Sequence, residues 1–329
     1  MESVVLTGAT GFIGGFLTKA LHDRGFKVYP VVRASSDTSN ISYLKSNFVH
    51  FDFKNPKQIS EILQAIRPTY FIHNAGLTRS ASQMELNTVN AEYLKNILDA
   101  ISLSGVQLKK FVFVSSLAAF GPAEYSEGGI VTNSSIPHPL TMYGKSKLKA
   151  EQYLAEYADI DYVIIRPTAV YGPRERDLLT VYKVLNKGLE IIIGSKRQLL
   201  TFIYVEDLVN IIIKSLHYKN KNRAFFATDN HTYTILEYNN FIKKALGKKS
   251  VRLVIPFTIF KAIAWLSEKI GKIKGVYPPL NIDKANELAA KSWHCDMQTT
   301  TEELGYCPAI NLEQGIKHTI DWCRENKWI

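Results

Sequence analysis

One sequence feature restricts the fold of this chain more than any other. It is an apolar run that leads, through three evenly spaced glycines, into an amphipathic segment. Residues 3–6 are predicted to form a short buried strand, and residues 12–24 a helix that a glycine ends. A strand, a glycine turn and a helix in this order form the first half of a βαβ unit. Residues 4–21, which span the strand, the turn and most of the helix, read VVLTGATGFIGGFLTKAL, and the three spaced glycines are Gly8, Gly11 and Gly14.

Each glycine of this turn has its own physical task. Gly8 allows the tight turn, Gly11 lets the backbone approach a pyrophosphate without a Cβ in the way, and Gly14 lets the helix pack closely. The free N–H groups at the start of the helix, together with its positive dipole end, would then hold the anion. The turn therefore predicts a dinucleotide-binding loop, whose contact residues are Gly8, Thr10, Gly11, Phe12 and Ile13.

The rest of the chain continues this alternation. Further strands are predicted at 27–32, 48–51, 69–72, 110–114, 162–165 and 224–227, with helices near 56–66, 87–104 and 143–158. Apolar strands that alternate with amphipathic helices indicate an α/β fold with a doubly wound, Rossmann-type parallel sheet. A smaller, mostly helical C-terminal lobe is expected to bind the substrate. The predicted nucleotide-binding domain covers 1–173 and a returning segment at 202–228, and the predicted substrate lobe covers 174–201 and 229–329.

Composition limits the partners and the compartment. The chain has 329 residues, of which 46% are apolar and 21% charged, and this composition is typical of a globular core. The net charge of +10 indicates either a basic surface spread over many helices or attraction for anionic ligands. Because the basic clusters lack interleaved aromatic residues, no nucleic-acid partner is expected. The start of the chain carries no signal-peptide pattern, and its cysteines are scattered, which predicts a reducing, cytoplasmic location and no metal site.

The residues that follow each strand are the candidates for cofactor contacts, because ligands bind at the carboxyl ends of parallel strands. Arg33 follows the second strand, where an arginine meets a 2′-phosphate and an acidic residue would bind a ribose hydroxyl. This favours NADP(H); an arginine stacked on the adenine, with NAD as the cofactor, is the alternative. Asp52 and Phe53 are placed to touch the adenine. Ala75 and Gly76 are small enough to let the cofactor come close to the backbone.

The chemistry is expected where the strand at 110–114 ends, at Ser115 and Ser116. Tyr143 and Lys147 follow at positions i and i+4 of a predicted helix, hence on one face. A tyrosine has a pKa of about 10, and a neighbouring ammonium, helped by an oxidised nicotinamide, favours its phenolate form. The tyrosine can then exchange a proton with an alcohol or a carbonyl while a hydride moves to or from the nicotinamide. A serine hydroxyl polarises the carbonyl, and Lys147 can hydrogen-bond the nicotinamide ribose. Ser115, Tyr143 and Lys147 are therefore also expected to contact the cofactor.

Five stretches carry a resemblance to a known family: TGATGFIG, FVSSLAAFG, YGKSK, RPTAVYGP and FIYVEDL. With them the chain resembles, over nearly its whole length, the extended short-chain dehydrogenase/reductase family within the NAD-dependent epimerase/dehydratase superfamily. The resemblance implies a catalytic trio of Ser116, Tyr143 and Lys147, with Ser115 as the alternative to Ser116.

The same resemblance implies roles outside the trio. Pro167 and Val170 match residues that line the nicotinamide. Asn90 matches a common asparagine of the family, for which a structural hydrogen bond is the alternative role. His73, at the end of a strand, is expected to be a buried and hydrogen-bonded histidine rather than a catalytic one. A homodimer is expected to form through the helices at 87–104 and 143–158.

Departures from the family pattern bear on the substrate. Nucleotide-sugar epimerases and dehydratases usually carry an asparagine at the position of Ala169 and an arginine at that of Leu200, both of which bind substrate phosphates. A dehydratase would also carry an Asp-Glu pair where Leu117 and Ala118 stand. Arg33 and RPTAVYGP instead resemble dihydroflavonol 4-reductase and 3β-hydroxysteroid dehydrogenase relatives. Four basic residues could supply the positive charge that the missing phosphate anchors would provide: Arg174, Arg176, Lys196 and Arg197.

These observations predict an NADP(H)-preferring oxidoreductase that interconverts a ketone and an alcohol of a small molecule. The alternatives are an NAD-dependent nucleotide-sugar epimerase and a redox sensor that binds NADP without turnover. Residues 254–275 are strongly apolar up to Leu266, with Lys261 as an interruption. A core helix of the substrate lobe is expected there; the alternatives are a pocket wall for an apolar substrate and peripheral membrane contact. Membrane contact is therefore not expected.

Overall fold

Six parallel strands form the central sheet in the computed structural model, which describes residues 1–194, 197–274, 277–278 and 280–329. In chain order the strands are Ser3–Thr7 (β1), Lys27–Val31 (β2), Tyr70–His73 (β3), Lys110–Val114 (β4), Tyr162–Pro167 (β5), Ala169–Tyr171 (β6), Leu189–Ile193 (β7), Leu199–Leu200 (β8), Phe202–Tyr204 (β9), Arg223–Ala227 (β10), Tyr233–Thr234 (β11) and Val251–Ile255 (β12). The helices are Phe12–Asp23 (α1), Pro56–Ile66 (α2), Gln83–Asn87 (α3), Tyr93–Ser104 (α4), Met142–Ala155 (α5), Leu179–Asn186 (α6), Val205–Ser215 (α7), Ile235–Leu246 (α8), Phe257–Ile273 (α9), Ile282–Ala289 (α10), Gln298–Leu304 (α11) and Leu312–Glu325 (α12).

The central sheet has the strand order β10-β5-β4-β3-β1-β2. Every residue of β3 and β4 is buried, because helices cover both faces of the sheet. Apolar residues of α1 and α7 pack on one face, and those of α2, α4 and α5 pack on the other. The predicted Rossmann-type α/β fold is therefore confirmed. The strand order reverses between β1 and β3, so the loops after these two strands border the crevice where such folds bind ligands.

The strand predicted at 48–51 is wrong. In the part of the chain that the structure describes, only Val49 of this segment pairs with the sheet, through a single bridge to Val31. The reason lies just downstream: the Asn55 side chain caps α2, and Pro56 occupies its first turn. The chain therefore turns into a helix before a strand can extend. The helix predicted at 87–104 is also interrupted, by a π-helical turn at Thr88–Glu92 between α3 and α4.

Among the described residues, three two-stranded sheets extend the structure beyond the central sheet: β6 with β9, β8 with β11, and β7 with β12. Helices α6, α8 and α12 enclose an apolar cluster that includes Tyr171, Tyr182 and Phe202. Much of this cluster comes from segments after residue 173, where the substrate lobe is predicted to begin. The predicted bounds of the two domains stay a prediction. The predicted homodimer also stays a prediction.

The apolar stretch at 254–275 is not the core helix that the sequence predicts. Val254 and Ile255 belong to β12, and α9 begins only at Phe257. Phe260 and Ala264 are buried, whereas most apolar side chains of α9 are exposed. Residue 275, the end of the predicted stretch, lies outside the described residues. None of the described helices combines the length and the apolar character needed to cross a bilayer.

Candidate active site

The glycine loop between β1 and α1 is built around close backbone contacts. Gly8 has a φ of +71°, and a Cβ there would lie 2.8 Å from the backbone nitrogen of Ala75. A Cβ on Gly14 would lie 1.9 Å from the carbonyl oxygen of Gly8, so α1 can approach the loop only with a glycine at this position. Gly11 is the N-cap of α1, and no side chain caps the helix. The uncapped N–H groups and the lack of a Cβ fit an anion at this helix start.

The side of the crevice expected to hold the adenosine is formed by the ends of β2 and β3 and by the segment after Val49. Arg33 is exposed, and its backbone N–H donates to the Ser36 hydroxyl at 3.0 Å. The Asp52 carboxylate accepts from the backbone of Lys54 at 3.0 Å, within its own turn. Phe53 stacks on Tyr93, with 5.3 Å between ring centroids, so only part of its ring is free for an adenine.

Tyr143 stands in the first turn of α5, directly behind a cap. The Thr141 hydroxyl accepts from the backbone N–H of Gly144 at 3.0 Å, which places the start of the helix. The Ser116 hydroxyl accepts from the backbone N–H of Ala118 at 3.1 Å. Burial raises the pKa of Tyr143 to about 12, and the nearby Ser116 hydroxyl opposes this rise. Without cofactor the phenol is thus neutral, and the phenolate expected from Lys147 together with an oxidised nicotinamide stays a prediction.

Lys147 lies one helical turn further along α5, and it is only 3% exposed. Its ammonium donates to the carbonyl oxygen of Val114 at 2.9 Å, and Nζ lies 6.0 Å from the centroid of the Tyr143 ring. Burial lowers the pKa of Lys147 to about 8, while the Glu151 carboxylate opposes this fall. A Cβ on Gly76 would lie 3.3 Å from Nζ. The predicted Tyr143–Lys147 pair and the predicted cofactor residue Gly76 therefore meet at one place.

The two neighbouring serines point to different partners. The Ser115 hydroxyl donates to the Glu151 carboxylate at 2.5 Å, and both residues are buried. Glu151 also forms a buried ion pair with Arg166, with 2.7 Å between Nη2 and Oε2. Ser115 is therefore part of a network that joins α5 to β4 and β5, whereas the Ser116 hydroxyl lies near enough to Tyr143 to lower the pKa of the phenol. This geometry favours Ser116 over Ser115 as the partner of the phenol.

Asn90 makes structural hydrogen bonds. Its Oδ1 accepts from the backbone N–H of Leu77 at 2.7 Å, and its Nδ2 donates to the Leu77 carbonyl oxygen at 2.9 Å and to the Ser146 hydroxyl at 2.8 Å. It thereby ties the loop after β3 to α5.

His73 is buried, as predicted, but only one of its ring nitrogens is satisfied. Its Nδ1 lies 2.9 Å from the Thr7 hydroxyl, while Nε2 has no partner among the described residues. Burial, assisted by the charge of Lys147, lowers the pKa of His73 to about 3, so the ring is neutral.

Two acidic residues of α10 border the site, and the sequence analysis missed both. The Asp283 carboxylate accepts from the backbone N–H of Met142 at 2.9 Å, directly before Tyr143. The charge of Glu287 contributes to the raised pKa of Tyr143. More than a hundred residues separate α10 from α5 in the chain, and no local pattern marks this contact.

The positions that would anchor a substrate diphosphate carry no polar side chain. Ala169 is exposed, and Leu200 packs against the apolar cluster around Phe202. Of the four replacement cations, Arg174 lies against the Asn40 side chain at 3.0 Å, on the side of α1 and the glycine loop. The guanidinium of Arg176 lies 5.6 Å from the centroid of the Trp328 ring, Arg197 is exposed, and Lys196 lies outside the described residues.

Pro167 ends the buried strand β5, and Val170 lies half-buried in the short strand β6. Two of the residues assigned to the cofactor from the sequence, Tyr143 and Lys147, lie on α5. The others lie in or just beyond a strand, in the loop after β1 or near Val49. Thr10, Phe12 and Ile13 are half-buried around the glycine loop.

The Rossmann-type fold, with Tyr143 and the buried Lys147 one helical turn apart on α5, is that of an NAD(P)-dependent enzyme. The profile of the NAD dependent epimerase/dehydratase family matches residues 4–227, and the chain belongs to this family. The resemblance found in the sequence is thereby confirmed.

The relatives of the chain act on different kinds of molecule. The UDP-glucose 4-epimerase of Vibrio cholerae is 28% identical over 97% of this chain and 94% of its own length. The sterol-4-alpha-carboxylate 3-dehydrogenase, decarboxylating, of Dictyostelium discoideum is 25% identical over 96% of this chain and 99% of its own. The crystal structure of UDP-glucuronic acid 4-epimerase from Bacillus cereus in complex with NAD matches with a TM-score of 0.77, at 22% identity over 99% of each chain.

Proposed function

We propose that this protein is an NADP(H)-preferring oxidoreductase that interconverts a ketone and an alcohol. The observation that carries the proposal is the placement of Tyr143 and the buried Lys147 one helical turn apart on α5, with Ser116 near the phenol and with Gly76 leaving room beside the ammonium. A neutral phenol can donate a proton to a carbonyl oxygen, and the serine hydroxyl can hold that oxygen in place.

The residues present fit a dinucleotide. Gly8, Gly11 and Gly14 leave room at an uncapped helix start, and Gly76 leaves room beside the Lys147 ammonium. When bound, the nicotinamide supplies or accepts the hydride. In reduction, Tyr143 gives its phenolic proton to the substrate oxygen, and Ser116 donates a hydrogen bond to the same oxygen. Lys147 keeps a positive charge near the phenol and can bind the nicotinamide ribose, which stabilises the phenolate that forms.

Replacement of Tyr143 by phenylalanine tests the mechanism. Tyr143→Phe keeps the ring and removes the acidic proton, so turnover should fall by at least about a hundredfold while cofactor affinity changes little. Turnover is followed by nicotinamide absorbance, and affinity by fluorescence titration. The exposed Tyr125, changed to phenylalanine, is the matched control. Turnover of Tyr143→Phe at the wild-type rate would refute the role.

The preference for NADP(H) rests on Arg33, which is exposed after β2 and has no carboxylate within ion-pair distance in the described chain. A free guanidinium beside the adenosine ribose suits a 2′-phosphate. Arg33→Asp should therefore reverse the preference, with the ratio of the two cofactor dissociation constants moving by about a hundredfold. An unchanged ratio would reject the assignment of NADP(H) and leave NAD, which the family name carries.

A substrate without a diphosphate is favoured because Ala169 and Leu200 offer no polar group, and because Arg174 faces Asn40 on the glycine-loop side. The Dictyostelium relative, named for a sterol carboxylate, supports an apolar carbonyl or alcohol substrate.

A nucleotide-sugar epimerase is the second candidate, and the Vibrio relative supports it. Thermal shift with uridine, guanosine and thymidine diphosphate sugars separates the two candidates, because a bound ligand raises the melting temperature. We expect no shift with any of them. A large shift with one sugar would establish the epimerase, and tight NADP binding without hydride exchange over a broad carbonyl panel would indicate a redox sensor.

A further inference from the structure

The outer side of α9 carries an apolar stripe that the fold leaves uncovered. Its members recur every three or four residues, and each is between 44% and 86% exposed: Ile259, Ile263, Leu266, Ile270 and Ile273. The opposite side of α9 already packs, through Phe260 and Ala264, against Ala285 of α10. The helix therefore has one apolar side that holds it in the fold and a second that meets solvent, and contiguous exposed apolar surface of this kind marks interaction sites.

One face of the β7–β12 sheet is a second exposed apolar surface beside α9. The two strands pair in parallel, and the side chains of alternate residues share a face. At one end of this face, Ile193 and Ile255 pack against the cluster of Phe260, Ala264 and Ala285, so the sheet face adjoins the inner side of α9. Its remaining residues are exposed, and they are Leu189, Ile191, Val251 and Leu253. We call these four residues and the α9 stripe together the outer face.

Positive charge surrounds the outer face. Lys187 precedes β7, Lys248 and Lys249 precede β12, and α9 with the residue after it contributes Lys261, Lys269 and Lys274. All six lysines are exposed, and within the described ranges none of them forms an ion pair. Trp265 is 54% exposed, and the Lys269 ammonium lies 5.6 Å from the centroid of its ring. Branched aliphatic residues and a tryptophan bordered by lysines are typical of helices that lie in a membrane interface.

The charge identifies the partner. A second copy of the chain, docked through the same face, would bring two sets of unpaired lysines together and would be repelled. An anionic bilayer offers both the opposite charge and an apolar layer below it. We propose that the outer face docks on the surface of an anionic lipid bilayer, with α9 lying in the interface. This proposal does not depend on the reaction that the protein catalyses, and it replaces the expectation of no membrane contact.

The outer face is close to the candidate active site. Helix α10, which packs on the inner side of α9, holds the start of α5 through the hydrogen bond from Met142 to Asp283. Tyr143 is the next residue. Docking through α9 therefore holds the Tyr143 site one helix away from the bilayer, which suits an apolar substrate drawn from the membrane.

Vesicle flotation of the full chain tests the proposal. We expect the protein to float with vesicles made of equal parts phosphatidylglycerol and phosphatidylcholine, to stay behind with pure phosphatidylcholine, and to be released by high salt. Ile263→Ser combined with Leu266→Ser should weaken binding to the mixed vesicles at least about tenfold. Lys261→Ala combined with Lys269→Ala should weaken it by about tenfold or more. The fluorescence of Trp265 should shift to the blue on binding, and Trp265→Phe should remove this shift.

Matched control variants lie away from the outer face. Ile136 is 85% exposed on another part of the surface, and Lys219 and Lys221 are exposed lysines before β10. Ile136→Ser, and Lys219→Ala with Lys221→Ala, should bind the vesicles as the wild type does. Circular dichroism confirms that each variant is folded. The proposal fails if the wild type does not float with the anionic vesicles, or if the control variants lose as much binding as the outer-face variants. It also fails if sedimentation shows a dimer that Ile263→Ser with Leu266→Ser abolishes without lipid.

Discussion

Replacement of Lys147 by methionine is expected to stabilise the cofactor-free protein while it removes turnover. Burial lowers the pKa of Lys147 from the ordinary lysine value of 10.5 to about 8. Because one pKa unit corresponds to about 1.4 kcal/mol, holding the ammonium inside the folded protein costs about 3 kcal/mol. Methionine is nearly as long and carries no charge, but it loses the hydrogen bond to the Val114 carbonyl oxygen, worth about 1 kcal/mol. The free energy of unfolding should therefore rise by about 2 kcal/mol at neutral pH.

Urea unfolding at several pH values measures this gain and identifies its cause. Between pH 8 and 10.5 the unfolded lysine holds a proton that the folded one has released, so the wild type gains stability as the pH rises through this window. The advantage of Lys147→Met should be complete below about pH 8 and shrink towards 10.5. Lys145→Met, at an exposed position of the same helix, is the control and should show no gain. A variant less stable than the wild type at pH 7, or a gain that does not change with pH, would refute the reasoning.

Two further substitutions test the frame around the site. Gly14→Ala should abolish measurable dinucleotide binding, because its Cβ would lie 1.9 Å from the Gly8 carbonyl oxygen and α1 would have to move. Titration with the cofactor measures the affinity. A near-normal affinity would show that the loop does not hold the anion. Glu151→Ala should lower the free energy of unfolding by about 3–5 kcal/mol, because it leaves the Arg166 guanidinium buried without its carboxylate. Chemical denaturation measures the loss of stability. The control variant is Glu156→Ala, at the exposed end of the same helix. Equal losses of stability in the two variants would contradict the role of the ion pair.

Local patterns in the sequence were sufficient for the central sheet and for the glycine loop. Short buried strands, each followed by a helix, carry their own signal, and β4 was predicted at its observed bounds, 110–114. The segment around Val49 shows the limit of that reasoning. It has the apolar character of a strand, but the helix start at Asn55 and Pro56 takes the chain away from the sheet after one bridge. The competition between a strand and the helix that follows it is decided by packing, which a local pattern does not contain.

The stretch that became α9 shows a second limit. Its apolar residues predicted burial, yet a helix can be apolar on two sides and be buried on only one. Which side is covered depends on α10 and on the β7–β12 sheet, and these elements come from segments far apart in the chain. The contact of Asp283 with Met142 has the same origin. By contrast, the local sequence does indicate that Glu151 lies on the same side of α5 as Tyr143 and Lys147. It follows Lys147 by four residues, as Lys147 follows Tyr143.

Tyr143, Lys147 and Glu151 form one stripe along α5, half-buried at Tyr143 and buried at the other two, and their ionisable groups act on one another. Glu151 raises the pKa of Lys147 against the effect of burial, but the same carboxylate is paired with Arg166 at 2.7 Å. Because Arg166 takes up much of the negative charge, Lys147 remains a weakly held cation instead of half of a strong ion pair. An ammonium that is not neutralised by its own helix is free to act on Tyr143 and on a bound ribose. The Arg166–Glu151 pair, far from the reacting atoms, thus keeps the positive charge of Lys147 available at the end of the stripe where the phenol lies.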